Sequence, residues 1–284
     1  MPDAPRSRRA LAVTILAASS LTVMAGALIA AALPAIEREH LAESGCEILA
    51  RVVLTLPAAA IALGAPLAGV LVDRWGKRRL LIAALVAYAA AGTAGLWVEG
   101  LTALLASRAL LGVAVAVTMT VATALVGDQF EGAERRRFLG LQGAVMSLGG
   151  VLFLVAGGVL ADVSWRAPFA VYALGLLIVP FALAAVRDRQ GADADPAGAP
   201  AVVRTPFNAL FAVYGLAFSG MTLFYMVPVQ LPFVLSRVLR VNGTTTGLVI
   251  GGAGLVAAVA SARYRQIRDH LSEYGIAALL LGLM

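Results

Sequence analysis

The segment Gly69-Val70-Leu71-Val72-Asp73-Arg74-Trp75-Gly76-Lys77-Arg78-Arg79 holds the densest set of chemistry-bearing residues in this chain. Its spacing is unsuited to catalysis and well suited to holding helices together. Gly69 lets another helix approach closely, and Gly76 permits a turn. Asp73 can face the positive N-terminus of a neighbouring helix. Arg74, Lys77, Arg78 and Arg79 can pair with acidic loop residues or with anionic lipid headgroups. The bland reading is a basic loop with a turn glycine, and the joint Gly-Asp-Arg-Gly-Lys-Arg spacing argues against it.

A second candidate is Arg108, which lies inside an otherwise apolar stretch. A guanidinium at such depth costs a few kcal/mol on insertion scales. Arg108 therefore either snorkels from the nearby helix end or faces the interior or a water-filled cavity. In the second case it is a fixed charge that biases a nearby acid or steadies a substrate, because an arginine does not titrate. Met24, Gln142, Tyr225 and Gln230 are candidates for lining a transport pathway, and each also reads as helix packing or interface anchoring. All sixteen Asp and Glu residues lie in loops or at span ends, and His40 and His270 read as loop residues. A proton carrier in mid-span is thus missing from this sequence, with Asp128 the end-of-span acid that could serve instead. No His, Asp, Glu, Ser or Cys cluster marks an enzyme site. The single cysteine, Cys46, has no internal disulfide partner and no metal-ligand spacing around it. No cofactor and no metal is expected.

The elements that position these residues follow from composition. Of 284 residues, 61% are apolar and 13% charged, with mean hydropathy +0.89. That excludes an ordinary soluble domain, a disordered chain and a disulfide scaffold. Charge-free stretches at 10–36, 52–72, 80–98, 109–127, 138–161, 167–186, 205–236 and 241–262 predict eight transmembrane helices. The fourth extends back through Arg108 to residue 100. The apolar run 274–284 is too short to span and reads as the start of a ninth helix. With the N-terminus cytoplasmic, sixteen of the 22 basic residues fall in inside segments, five fall outside, and Arg108 lies within a span. The net charge of +6 thus speaks to membrane orientation and not to nucleic acid. The 27 uncharged residues of the first span exceed a typical cleaved signal segment, so this span is expected to be retained.

The stretch 187–206, rich in Ala, Asp, Pro and Gly, reads as a cytoplasmic linker. It separates a six-helix bundle at 1–186 from a partial second bundle at 207–284. Glycines cluster on the fifth span (Gly140, Gly143, Gly149, Gly150, Gly157 and Gly158), serving either tight packing or a helix that slides against its neighbour.

The 69–79 segment resembles the signature loop of the major facilitator superfamily, G-x-L-x-D-R-x-G-R/K-R/K, at all its defining positions. Arg108-Ala109-Leu110-Leu111-Gly112 resembles that family's R-x-x-x-G motif, and Trp165-Arg166-Ala167-Pro168-Phe169 resembles its W-R-x-P-F entry to the sixth helix. The resemblance implies that Asp128 pairs with the signature loop. It also implies a polytopic all-α helical bundle, most like the bacterial drug-efflux members. The fifth span lacks the Gly-Pro pair common in antiporters of the family and carries Phe153 and Leu154 at about that place. The family has twelve helices, so the chain is expected to stop inside the ninth, either as a fragment or as a truncated protein.

The reading that results is a multi-pass transporter of the cell (inner) membrane. Its partners would be a small, lipophilic substrate, the lipid bilayer and protons as coupling ion. The alternatives are a sugar or metabolite permease and a membrane sensor that binds ligand without moving it.

Overall fold

The computed structural model describes residues 5–42, 45–186 and 207–262, without the side chains of residues 5–7, 73, 207–210, 212, 213, 217 and 257–262. The expected linker at 187–206 and the expected ninth helix lie outside the described residues. Every described regular element is a helix. They are α1 (Pro5–Ala30), α2 (Leu33–Glu39), α3 (Cys46–Trp75), α4 (Lys77–Thr93), α5 (Leu101–Gln129), α6 (Gly132–Val163), α7 (Ala167–Ala170), α8 (Leu174–Ala185), α9 (Phe207–Val238) and α10 (Gly243–Ala262).

Seven spans among the described residues are long and apolar enough to cross a membrane, and the eighth expected span is the 20-residue α10. Two boundaries differ from the charge-free stretches in an informative way. The first helix begins at Pro5, ahead of residue 10. There Arg8 donates 2.8 Å to Glu134 and 3.1 Å to the Gln129 carbonyl, so a charged turn gains partners by staying helical. The sixth span is not one helix: a 3-10 turn, Val171–Ala173, joins α7 to α8.

The helices alternate in direction, so loops gather at two faces. Gly76 turns the chain between α3 and α4 with φ +83, a conformation glycine adopts without strain. The α5–α6 turn at Phe130 and Glu131 lies on the same face. Elsewhere Arg166 bonds the carbonyls that follow α4, Asp162 bonds the start of α10, and Arg237 lies beside Glu47 just after Gly45. The 94–98, 164–166, 239–242 and Gly45 connections thus gather together at a second face. α5 is the central helix: Leu104, Arg108, Leu111, Val115, Val121 and Leu125 are all buried along it. α3 crosses α5 at Gly112, where an added Cβ would lie 2.5 Å from the Pro57 carbonyl. Pro57 and Pro66 sit within α3 itself, as membrane helices permit when neighbours re-satisfy the backbone.

Candidate functional site

At the signature-loop face the chain folds back so sharply that Lys77 opens α4 beside the end of α5. Its ammonium donates to the Asp128 carboxylate. Arg78 donates 2.8 Å to the Leu183 carbonyl near the end of α8. The loop therefore ties α4 to α5 and to α8. Arg74 is exposed, and the side chain of Asp73 lies outside the described residues. Gly69 departs from the expectation set for it. An added Cβ there would meet nothing within 4 Å, so no described helix takes advantage of the missing side chain. The reason is that α3 presents this face outward, with Leu67 and Val70 each 65% exposed beside it.

Arg108 faces the protein interior, as its depth in the membrane requires, and is 1% exposed. It neither snorkels nor opens onto a described cavity. Its Nη2 donates 2.9 Å to the carbonyls of both Ala91 and Gly92 at the end of α4. The guanidinium lies 5.0 Å from the Phe169 ring centre and 5.1 Å from that of Tyr172. Nη1 has no hydrogen-bond partner, and no carboxylate pairs with Arg108 among the described residues. Ring faces thus supply the compensation that a buried charge demands.

Trp165, Arg166 and Phe169 of the W-R-x-P-F stretch each have a place in this arrangement. Phe169 fills a notch at Gly95, where an added Cβ would lie 2.1 Å from its ring, and Tyr172 fills another at Gly92. Arg166 Nη1 donates to the carbonyls of Gly95, Leu96 and Val98 at 3.2, 3.0 and 3.1 Å. Trp165 meets His40 edge to face at 5.2 Å. Tyr172 and Tyr88 then donate to the Ala25 and Leu21 carbonyls of α1, at 2.9 and 2.7 Å.

The other pathway candidates are scattered. Met24 is fully buried in the core, and Gln142 donates 2.7 Å to Ser19 between α6 and α1. Tyr225 is half-buried and packs edge to face on Phe224. Gln230 is exposed and accepts from Arg51 at 3.3 Å. Gly112 is a helix-crossing residue.

Sequence reasoning missed a seam where α9 and α10 meet the earlier helices. Glu37, 4% exposed, accepts from Arg237 at 2.6 Å, and Glu47 lies 3.6 Å from the same guanidinium. Asp162 accepts from the Gly243 N–H, the Thr244 N–H and the Thr244 hydroxyl, at 2.6, 2.9 and 2.5 Å. An added Cβ at Gly158 would lie 2.2 Å from the Gly243 carbonyl, and one at Gly247 would lie 2.5 Å from that of Leu154. The four-residue spacing Gly243, Gly247, Gly251 was the available signal.

Residues 5–284 match the family profile of the Major Facilitator Superfamily. The chain belongs to the Major Facilitator Superfamily. Among curated proteins, this member of the superfamily is 35% identical over 169 residues to the class C tetracycline resistance protein of Escherichia coli, covering 58% of this chain and 41% of that one. It is 30% identical over 127 residues to the multidrug transporter protein MdtP of Bacillus subtilis (strain 168), covering 44% and 24%. It is 32% identical over 177 residues to the puromycin resistance protein pur8 of Streptomyces alboniger, covering 59% and 35%. The matches thus span between a quarter and two fifths of the relatives' own length. Among solved structures, the fold is similar to that of a D-xylose–proton symporter (TM-score 0.67, 16% identity, 90% of this chain and 69% of that one). It is also similar to that of a bacterial homologue of the human lysosomal transporter Spinster (TM-score 0.69, 19% identity, 91% and 61%).

Proposed function

We propose that this protein is a secondary-active transporter that moves a small, lipophilic compound out of the cell by alternating access, driven by protons. The observation that carries the reading is the joint pattern of family and relatives. A chain of the Major Facilitator Superfamily is 30–35% identical, over its matched parts, to three proteins named for multidrug transport or antibiotic resistance. The described spans carry no carboxylate at their middle, and the buried Arg108 is occupied by backbone carbonyls, which supports an uncharged or weakly charged substrate. The helices before residue 187 and those after residue 206 would move as two blocks about a site near the bilayer midplane.

In this reading the protein spans the cell (inner) membrane with its signature-loop face and its N-terminus on the cytoplasmic side, which the distribution of basic residues supports. The Lys77–Asp128 pair and the Gly76 turn would hold the cytoplasmic gate in shape, with the exposed Arg74 available to its mobile side and Asp73, the signature acid, proposed to act with it.

The test is dye efflux from cells expressing the native gene, with tetracycline, puromycin and a lipophilic fluorescent dye as substrates. Efflux that stops on adding a protonophore supports the reading. Accumulation of a labelled sugar with no efflux of the three would replace it with uptake.

A further inference from the structure

We propose that Glu37 and Asp162 are the positioning residues of a second gate, on the face opposite the signature loop. This rests on the alternating-access reading above for the statement that the seam parts during transport. The two carboxylates sit on different elements, α2 and the end of α6, yet both grip one short stretch of chain. Glu37 takes Arg237 at the end of α9, and Asp162 takes the first two N–H groups of α10. The connection between those helices is only residues 239–242. The α9–α10 corner is therefore held at the Arg237 guanidinium and at the N-terminus of α10.

What gives the contact two states is the cost of half-breaking it. Glu37 is almost fully buried, and a buried carboxylate that loses its partner is strongly penalised. The N–H groups of a helix's first turn have no intrahelical partners, and an acid at that position also meets the helix dipole. Removing Asp162 strips both terms from α10. Charged groups near this corner include Arg38 on α2, His40 just after it, Glu47 and Arg51 on α3, and Arg240 in the 239–242 connection itself. Glu47 shares Arg237, and Arg51 lies 4.6 Å over Phe233 of α9 and bonds Gln230. A cavity of about 30 Å³, lined in part by Arg38, Asp162, Ser236 and Gly243, lies at this seam and has room for about one water. Solvent thus has a point of entry when the corner lifts.

The experiment is a spin-label distance measurement on the full chain in lipid nanodiscs, in a Cys46→Ser background. Labels go at Trp97→Cys and Leu239→Cys, whose side chains are exposed and make none of the seam's bonds. Asp162→Asn, Thr244→Val and Glu37→Gln should each add a longer-distance population that the parent lacks. The swap Glu37→Arg with Arg237→Glu should return the parent distribution, which Glu37→Arg alone should not. Asp162 and Thr244 are at the surface, so their variants keep the test open if changes at buried Glu37 impair folding. Parent-like distances in Asp162→Asn and Thr244→Val would overturn the gate. Shifted distances in a protein that moves no dye would leave the gate standing and remove the transport reading. Dye efflux with distances unmoved by any variant would do the reverse.

Discussion

Arg108 and Arg166 serve the same helix end. Arg108 takes the carbonyls of Ala91 and Gly92, and Arg166 takes those of Gly95, Leu96 and Val98. α4 passes into a 3-10 turn there, where the last carbonyls of a helix have no intrahelical donors. In a membrane such groups cannot be left open. Two guanidiniums close them, and both favour the negative end of the helix dipole.

Arg108→Ala removes two charge-assisted bonds, leaves two buried carbonyls short of donors, and takes the cation from between Phe169 and Tyr172. The expected loss is about 2–4 kcal/mol, read as a lower melting temperature in detergent and a smaller monodisperse peak. Arg108→Lys should recover only part of it, because an ammonium does not reproduce the planar guanidinium. A melting curve for Arg108→Ala that overlays the parent would show that this residue does not hold the end of α4.

Phe169→Ala should destabilise by about 3–5 kcal/mol. The ring is fully buried, fills the Gly95 notch and lies beneath Arg108. Phe169→Leu restores bulk without the ring face and should fall between. Equal melting temperatures for the Leu variant and the parent would mean that volume alone matters at this position.

Much of this was legible in the sequence, and the limits have physical causes. Charge-free stretches located the spans because lipid penalises charge wherever it falls along a helix. The Gly76 turn was readable because few residues tolerate its φ. The resemblance gave a pairing of Asp128 with the signature loop, and the structure names Lys77, 51 residues away, as the partner. Arg108 was recognised as unusual, but its partners are backbone carbonyls, which every sequence has and none displays. Glu37 and Arg237 read as ordinary loop and span-end charges, because burial in a seam 200 residues apart leaves no local pattern. Gly69 was assigned a close neighbour on its residue type alone, and the fold places open space there.

Glycine substitutions should sort by what a methyl group would meet. Gly157→Ala places a Cβ 2.0 Å from the Leu28 carbonyl, and Gly112→Ala places one 2.5 Å from that of Pro57. Backbone cannot swing aside as a side chain can, so each should cost about 1–3 kcal/mol of overpacking. Gly69→Ala and Gly140→Ala meet nothing within 4 Å and should be neutral or stabilising by up to about 1 kcal/mol. Ranking the four by melting temperature checks the order, and a Gly157→Ala protein as stable as Gly69→Ala would contradict it.

The Lys77–Asp128 pair is partly exposed, at 29% and 38%, so its effect on stability should be at most about 1 kcal/mol. Its effect on function should be larger than that figure suggests. Asp128→Asn is expected to slow dye efflux while barely moving the melting temperature, and Lys77→Asp with Asp128→Lys should restore part of the rate. Unchanged efflux in Asp128→Asn would free this pair of any part in gating.

Gly157 and Gly158 are consecutive, yet the first faces the Leu28 backbone of α1 and the second the Gly243 backbone of α10. One turn of α6 is thus committed to two partners, and α6 cannot roll to relieve one without colliding with the other. Along the α10 side, Gly243, Gly247 and Gly251 recur every four residues, about 6 Å along a helix axis. A smaller shift along that axis would carry the Gly247 gap off the Leu154 carbonyl, with the buried Thr246 next to it in sequence. The seam therefore behaves as a ratchet with coarse teeth: α10 keeps its register or lifts clear of it, and creeping displacement is closed to it.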